Sequence, residues 1–217
     1  MRARTPSRPF AVVVGVAAAA ALLQGAAHLV HVFVLDGRYA TLLDADSNRS
    51  IFDVVSVVAE ATGSAASLAL ASMRPAQRPR FLALSALLAF VAVDDAISLH
   101  TRSQIDWPVI LLPVLVCTFL LLWSALDRPE ERVFIRSSLL LLAAAVLLGV
   151  VGAPALRALG WDAGRWPHAL KIVIKQGAEL AGWIMISGSL VTAAVLGGVA
   201  PAWRRCVGRR PATSEAP

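Results

Sequence analysis

Two cysteines in 217 residues are too few for a disulfide framework. Their placement also excludes a cysteine zinc site: Cys117 lies in an apolar run, Cys206 in a basic stretch, and no C-x-x-C pair exists. Charge is scarce too. Lys, Arg, Asp and Glu make up 16% of the chain, against about 25% in a soluble domain, which leaves too little polar sequence for a separate soluble unit. The apolar runs do not alternate, which excludes barrel strands. No RNA- or DNA-binding pattern accompanies the net charge of +6, which excludes nucleic acid as a partner. The two halves show no convincing repeat.

What the chain has in quantity is apolar sequence: 58% hydrophobic residues and a mean hydropathy of +0.70. Six runs stand out, at Phe10–Leu35, Ile51–Met73, Phe81–His100, Val109–Leu126, Val133–Ala155 and His168–Val199. A spanning helix needs about 20 residues. The pattern predicts an all-α membrane protein, a bundle of about six transmembrane helices at residues 1–203, followed by a basic, disordered cytoplasmic tail at 204–217. The bilayer is then the first partner.

Arginine sets the orientation. Arg2, Arg4 and Arg8, then Arg74, Arg78 and Arg80, then Arg128, Arg132 and Arg136, then Arg204, Arg205, Arg209 and Arg210 all fall on one side. The opposite connections hold Arg38, Arg49, Arg102, Arg157 and Arg165, offset by Asp36, Asp44, Asp46, Asp106 and Asp162. The positive-inside rule therefore places both termini in the cytoplasm of a bacterial inner membrane protein. Trp107, Trp161 and Trp166 anchor the outer interface and Trp203 the inner. The first run has two readings. Its basic start and Gly25-Ala26-Ala27 suit a cleaved signal peptide, whereas its continuation through Val34 suits a retained helix.

With that orientation, the ionisable groups inside the runs gather in the non-cytoplasmic half, where burial is costly and marks a candidate site. Gln24, His28 and His31 share one face of the first run at i, i+4, i+7. On the second, Asp53, Ser56, Glu60, Ser64 and Ser67 form a stripe beside a small-residue ridge of Ala59, Gly63 and Ser67 suited to close packing. Glu60 lies about 13 Å inside its run at 1.5 Å per residue. The third run ends with Asp94, Asp95 and His100. Either these form a cation site, or Asp95 pairs with Arg102 in an ordinary helix end. The sixth carries His168, Lys171, Lys175 and Glu179 on one face, the first two placed to reach headgroups. Runs four and five have no acid, base or histidine in their cores and are predicted to be scaffold.

Leu42-Leu43-Asp44-Ala45-Asp46-Ser47-Asn48, Val91 to His100, and Gln176-Gly177-Ala178-Glu179-Leu180-Ala181-Gly182-Trp183 resemble elements of a family of bacterial multi-pass membrane proteins without an assigned activity. That family has an acidic turn before one helix, Asp-Glu and a trailing His-Glu on the next, and a glutamate in the last. Asp95 here replaces the usual Glu, and Thr101 follows His100 where Glu is usual. The resemblance implies a site at these positions and supplies no activity. Asp44-x-Asp46-x-Asn48 also opens like an EF-hand loop. Arg49 and Val55 occupy the positions of its Gly and Glu, so a helix-capping turn with Asn48 or Ser50 as N-cap is the expectation.

Three functions fit these residues. One is a small transport or binding protein with a proton or cation site made of His28, His31, Glu60, Asp94, Asp95, Lys175 and Glu179, as a homodimer if six helices are too few alone. The second is a membrane-embedded lipid hydrolase whose His28, His31, Asp94 and His100 hold a divalent metal, zinc or iron, with Glu60 or Glu179 as general base. The third is an accessory membrane protein whose polar groups satisfy one another.

Overall fold

The computed structural model describes residues 8–36, 42–47, 50–97, 107–126, 129–161 and 165–207. These contain six α-helices and no strand: α1 Arg8–Phe33, α2 Ile51–Met73, α3 Arg78–Ile97, α4 Trp107–Ala125, α5 Pro129–Ala158 and α6 Arg165–Val207. Four of them are long and apolar enough to cross a membrane: α1, α2, Arg132–Gly152 of α5 and Trp166–Leu196 of α6. The helix α3 is interrupted at both ends by charge, Arg78 and Arg80 at its start and Asp94 and Asp95 near its finish, and the described apolar part of α4 is short, Leu112–Ala125. Against the predicted runs, α2 coincides, α1 starts and stops two residues earlier, and α6 continues to Val207, well beyond Val199. His100 and Arg102 lie outside the described residues.

Local chemistry accounts for the helix ends. Ser50, one of the two expected caps, has extended backbone (φ −74°, ψ 158°), and its hydroxyl accepts a 3.0 Å hydrogen bond from the Asp53 N–H. Asp53 in the first turn also complements the helix dipole. Pro75 cannot continue α2 and opens a 3-10 turn, Pro75–Gln77, that reverses the chain into α3. After α5, Gly160 takes φ +70°; its N–H reaches the Arg157 carbonyl and the Trp161 N–H the Leu156 carbonyl, both at 2.9 Å. That is a Schellman stop, which needs a residue free of the Cβ penalty at this φ.

The last helix organises the bundle. It packs against α1, α2 and α5, and α2 packs in turn on α3. Glycines set these approaches. A Cβ on Gly182 would stand 2.7 Å from Leu142 Cγ of α5, one on Gly188 2.6 Å from Val13 of α1, and one on Gly63 2.6 Å from Ser187 Oγ of α6. Between hydrocarbon-bathed helices, association depends on such close contact more than on hydrophobic transfer. Trp183, Ile186 and Leu190 of α6 are fully buried, in a core with Leu84, Leu88 and Leu142. A second cluster joins Phe10, Ala17, Phe134 and Met185, with the two phenyl rings 4.3 Å apart.

Polarity is distributed oppositely to a water-soluble domain. Val12, Leu22 and Leu140 are among many large apolar side chains facing outward, while Ser64, Ser67, Ser85 and Glu60 are buried. The inner serines are packing groups: Ser64 Oγ donates to the Ser85 carbonyl at 2.9 Å, tying α2 to α3, and Ser67 Oγ to the Gly63 carbonyl at 2.9 Å. An apolar exterior over four helices of spanning length suits a membrane protein.

Candidate functional site: a carboxylate cavity and a histidine pocket

At one end of the bundle α1 and α3 finish and α2 and α6 begin. There the described residues enclose a cavity of about 250 Å³, with Gln24, Asp53, Asp95, Lys175 and Glu179 in its wall. Each comes from the polar face of its helix. Ser47, Ser50 and Ala45, on the connection before α2, complete the wall on one side.

Glu60 lies beneath this cavity with no solvent exposure. Ser56, one helical turn nearer the cavity, donates its hydroxyl to Glu60 Oε1 at 3.2 Å. Nothing among the described residues donates to Oε2. The Glu60 carboxyl lies within electrostatic reach of that of Asp95, so that the two are placed to bond to each other. Two carboxyl groups make such a bond only when one carries a proton, because two carboxylates offer acceptors alone. A fully buried acid thus lies behind one on the cavity wall.

This settles which member of the adjacent acidic pair on α3 faces the other helices at this point. The sequence offers both Asp94 and Asp95 for the site, with Glu60 and Glu179. Asp95 lines the cavity above Glu60, whereas Asp94 is buried but is not part of that wall. An assignment from helical spacing could not resolve this, because neighbours on a helix differ by about 100° and the packing direction of α3 decides between them. Lys175 and Glu179 both line the cavity, one helical turn apart on α6.

No family model, curated protein or solved structure matches the chain. Its chemistry is therefore read from its own residues.

His28 and His31 do not join the carboxylates. They are buried at the end of α1 against the acidic turn, where they line a separate pocket with Asp44, Asp46 and His168. His28 Nδ1 accepts a 3.3 Å hydrogen bond from the Ala45 N–H and lies 3.3 Å from Asp44 Oδ1. As a bare ring nitrogen Nδ1 accepts from the backbone; carrying a hydrogen, in the Nδ1–H tautomer or the imidazolium, it donates to the carboxylate. His31 Nε2 is 3.9 Å from Asp44 Oδ2. His28 Nε2 and His31 Nδ1 are buried without a partner among the described residues. The expected single cluster is therefore two centres, separated because Gln24 and the histidines, although on one face of α1, lie at different heights along it.

Among the described residues no three His, Cys, Asp or Glu side chains are grouped so as to hold a metal ion. Lys171 packs its stem near Gly152 of α5, whereas His168 reaches the histidine pocket from the start of α6. Sequence reasoning missed Asp44 as the partner of both histidines. Its signal is the acidic turn itself, to which the sequence assigns a cap and a place in the family resemblance but no histidine partner.

Proposed function

We propose that the chain is a six-span protein of a bacterial cytoplasmic membrane, with both termini inside, and that its carboxylate cavity binds a proton or small cation from the non-cytoplasmic side as part of a transport or binding cycle. The distribution of arginine supports the orientation. The observation that carries the function is Glu60, fully buried beneath a cavity whose wall holds Asp53, Asp95 and Glu179. An acid held so deep is costly in hydrocarbon, and a structural role would be met more cheaply by an apolar side chain. Proton sharing offsets the cost and leaves a group that can exchange its proton for a cation arriving at Asp95.

Flux measurement tests this. In proteoliposomes carrying an internal pH indicator, an imposed sodium or potassium gradient is expected to drive proton movement in the native protein and none in Glu60→Gln, which preserves shape but cannot release a proton. Equal movement in both, or none in either, overturns the transport reading. Stoichiometric zinc or iron that His28→Ala and Asp94→Asn both remove would instead support the metal-hydrolase alternative.

A further inference from the structure

We infer that the occupant of the carboxylate cavity is a small organic molecule presenting a primary ammonium group, with the Gln24 amide oxygen among its acceptors. This rests on the cation-binding reading above and makes it specific.

Gln24 is 4% exposed, it lines the cavity, and its Oε1 is buried without a hydrogen-bond donor among the described residues. A buried amide oxygen left unpaired is costly, so its natural complement is a donor supplied from the cavity. The rest of the wall gives that donor a charge. Among the described residues of the wall Asp53, Asp95 and Glu179 outnumber Lys175, and the buried Glu60 lies behind Asp95. A positively charged group with several N–H bonds meets both requirements, since it neutralises carboxylates and donates to a neutral amide at once.

Size and spacing favour an organic cation over a bare ion. The carboxylates stand around about 250 Å³, room for roughly eight waters at about 30 Å³ each. The described acids and histidines form no group that closes on a metal ion. Lys175, on the same wall, gives an oxygen-bearing end of the molecule a cation to face. Phe52 and Leu180 supply apolar wall for the carbon chain between the two ends. The ammonium is either that of a free small amine or that of an ethanolamine lipid headgroup.

The test is calorimetric titration of the full chain in detergent with ethanolamine, tetramethylammonium and sodium at constant ionic strength. Ethanolamine is expected to bind and tetramethylammonium, which has no N–H, to bind at least about tenfold more weakly. Gln24→Leu should weaken ethanolamine by about tenfold while unfolding no more easily than the native chain without ligand, since it removes an unpaired acceptor; easier unfolding would mark a structural role and overturn the assignment. Equal binding of tetramethylammonium, or unchanged affinity in Gln24→Leu, also overturns it. Sodium binding without ethanolamine binding overturns the ammonium inference and leaves the cation reading intact; binding of neither overturns both. Repetition in nanodiscs separates the two sources. Weaker ethanolamine binding in phosphatidylethanolamine than in phosphatidylcholine assigns the site to a headgroup, and equal binding assigns it to a free amine.

Discussion

Replacing Glu60 by alanine and by glutamine separates a shared-proton pair from an ordinary buried side chain. Glu60 is fully buried, receives one hydrogen bond from Ser56 at 3.2 Å and lies within electrostatic reach of the Asp95 carboxyl. Alanine removes the first bond, worth about 0.5–1.5 kcal/mol net, and leaves Ser56 and Asp95 short of a partner, at about 1–3 kcal/mol for a buried group so stranded. Hydrogen bonds between membrane helices average near the low end, about 0.6 kcal/mol, so the expected total is about 2–4 kcal/mol. Glutamine keeps the volume, still accepts from Ser56 and can donate its amide N–H to Asp95. It is expected to lie within about 1 kcal/mol of the native protein, with its ligand or proton function lost. Reversible unfolding in mixed micelles, followed by tryptophan fluorescence, measures both. Alanine without measurable cost, or glutamine as costly as alanine, would refute the pairing.

Three further outcomes test the frame around the site. Gly182→Ala puts a methyl 2.7 Å from Leu142 Cγ and 3.2 Å from the Ser138 carbonyl, and should destabilise the α5–α6 contact by about 1–3 kcal/mol in the same unfolding assay. Ser50→Ala removes the hydroxyl that caps α2, with an expected loss of about 1 kcal/mol and faster amide exchange at Asp53 and its neighbours. A double-mutant cycle on His28→Gln and Asp44→Asn should give a coupling energy of at least about 0.5 kcal/mol; additive effects would show that the 3.3 Å approach contributes nothing.

Much of the helical framework was legible in the sequence, for a reason specific to such chains. Apolar runs mark each helix directly, and the charge that ends a run is also the charge that ends the helix, as at Met73 and Arg74. The stripe on α2 was legible as well, because its period fixes a face: Ser56, Glu60, Ser64 and Ser67 are all buried. What periodicity could not supply was the partner of each face. Asp95 rather than Asp94 lines the cavity above Glu60, and His28 turns to Asp44 rather than to the cavity acids. Both depend on how far each helix is rotated and raised against its neighbours. That is set by contacts such as Gly63 on Ser187 and Gly25 on Val173, in which glycine identity is visible but its partner is not. The hub position of α6 was likewise hidden, although Gly177, Gly182 and Gly188 at intervals along it were its trace.

The most direct measurement is infrared difference spectroscopy of the carboxyl C=O stretch in the membrane-reconstituted protein. A buried Glu60–Asp95 pair holding one proton predicts a protonated-carboxyl band in the native protein that ethanolamine or acid–base cycling perturbs and that Glu60→Gln removes. Absence of that band, or its persistence unchanged in Glu60→Gln, would contradict the shared-proton site on which the functional account depends.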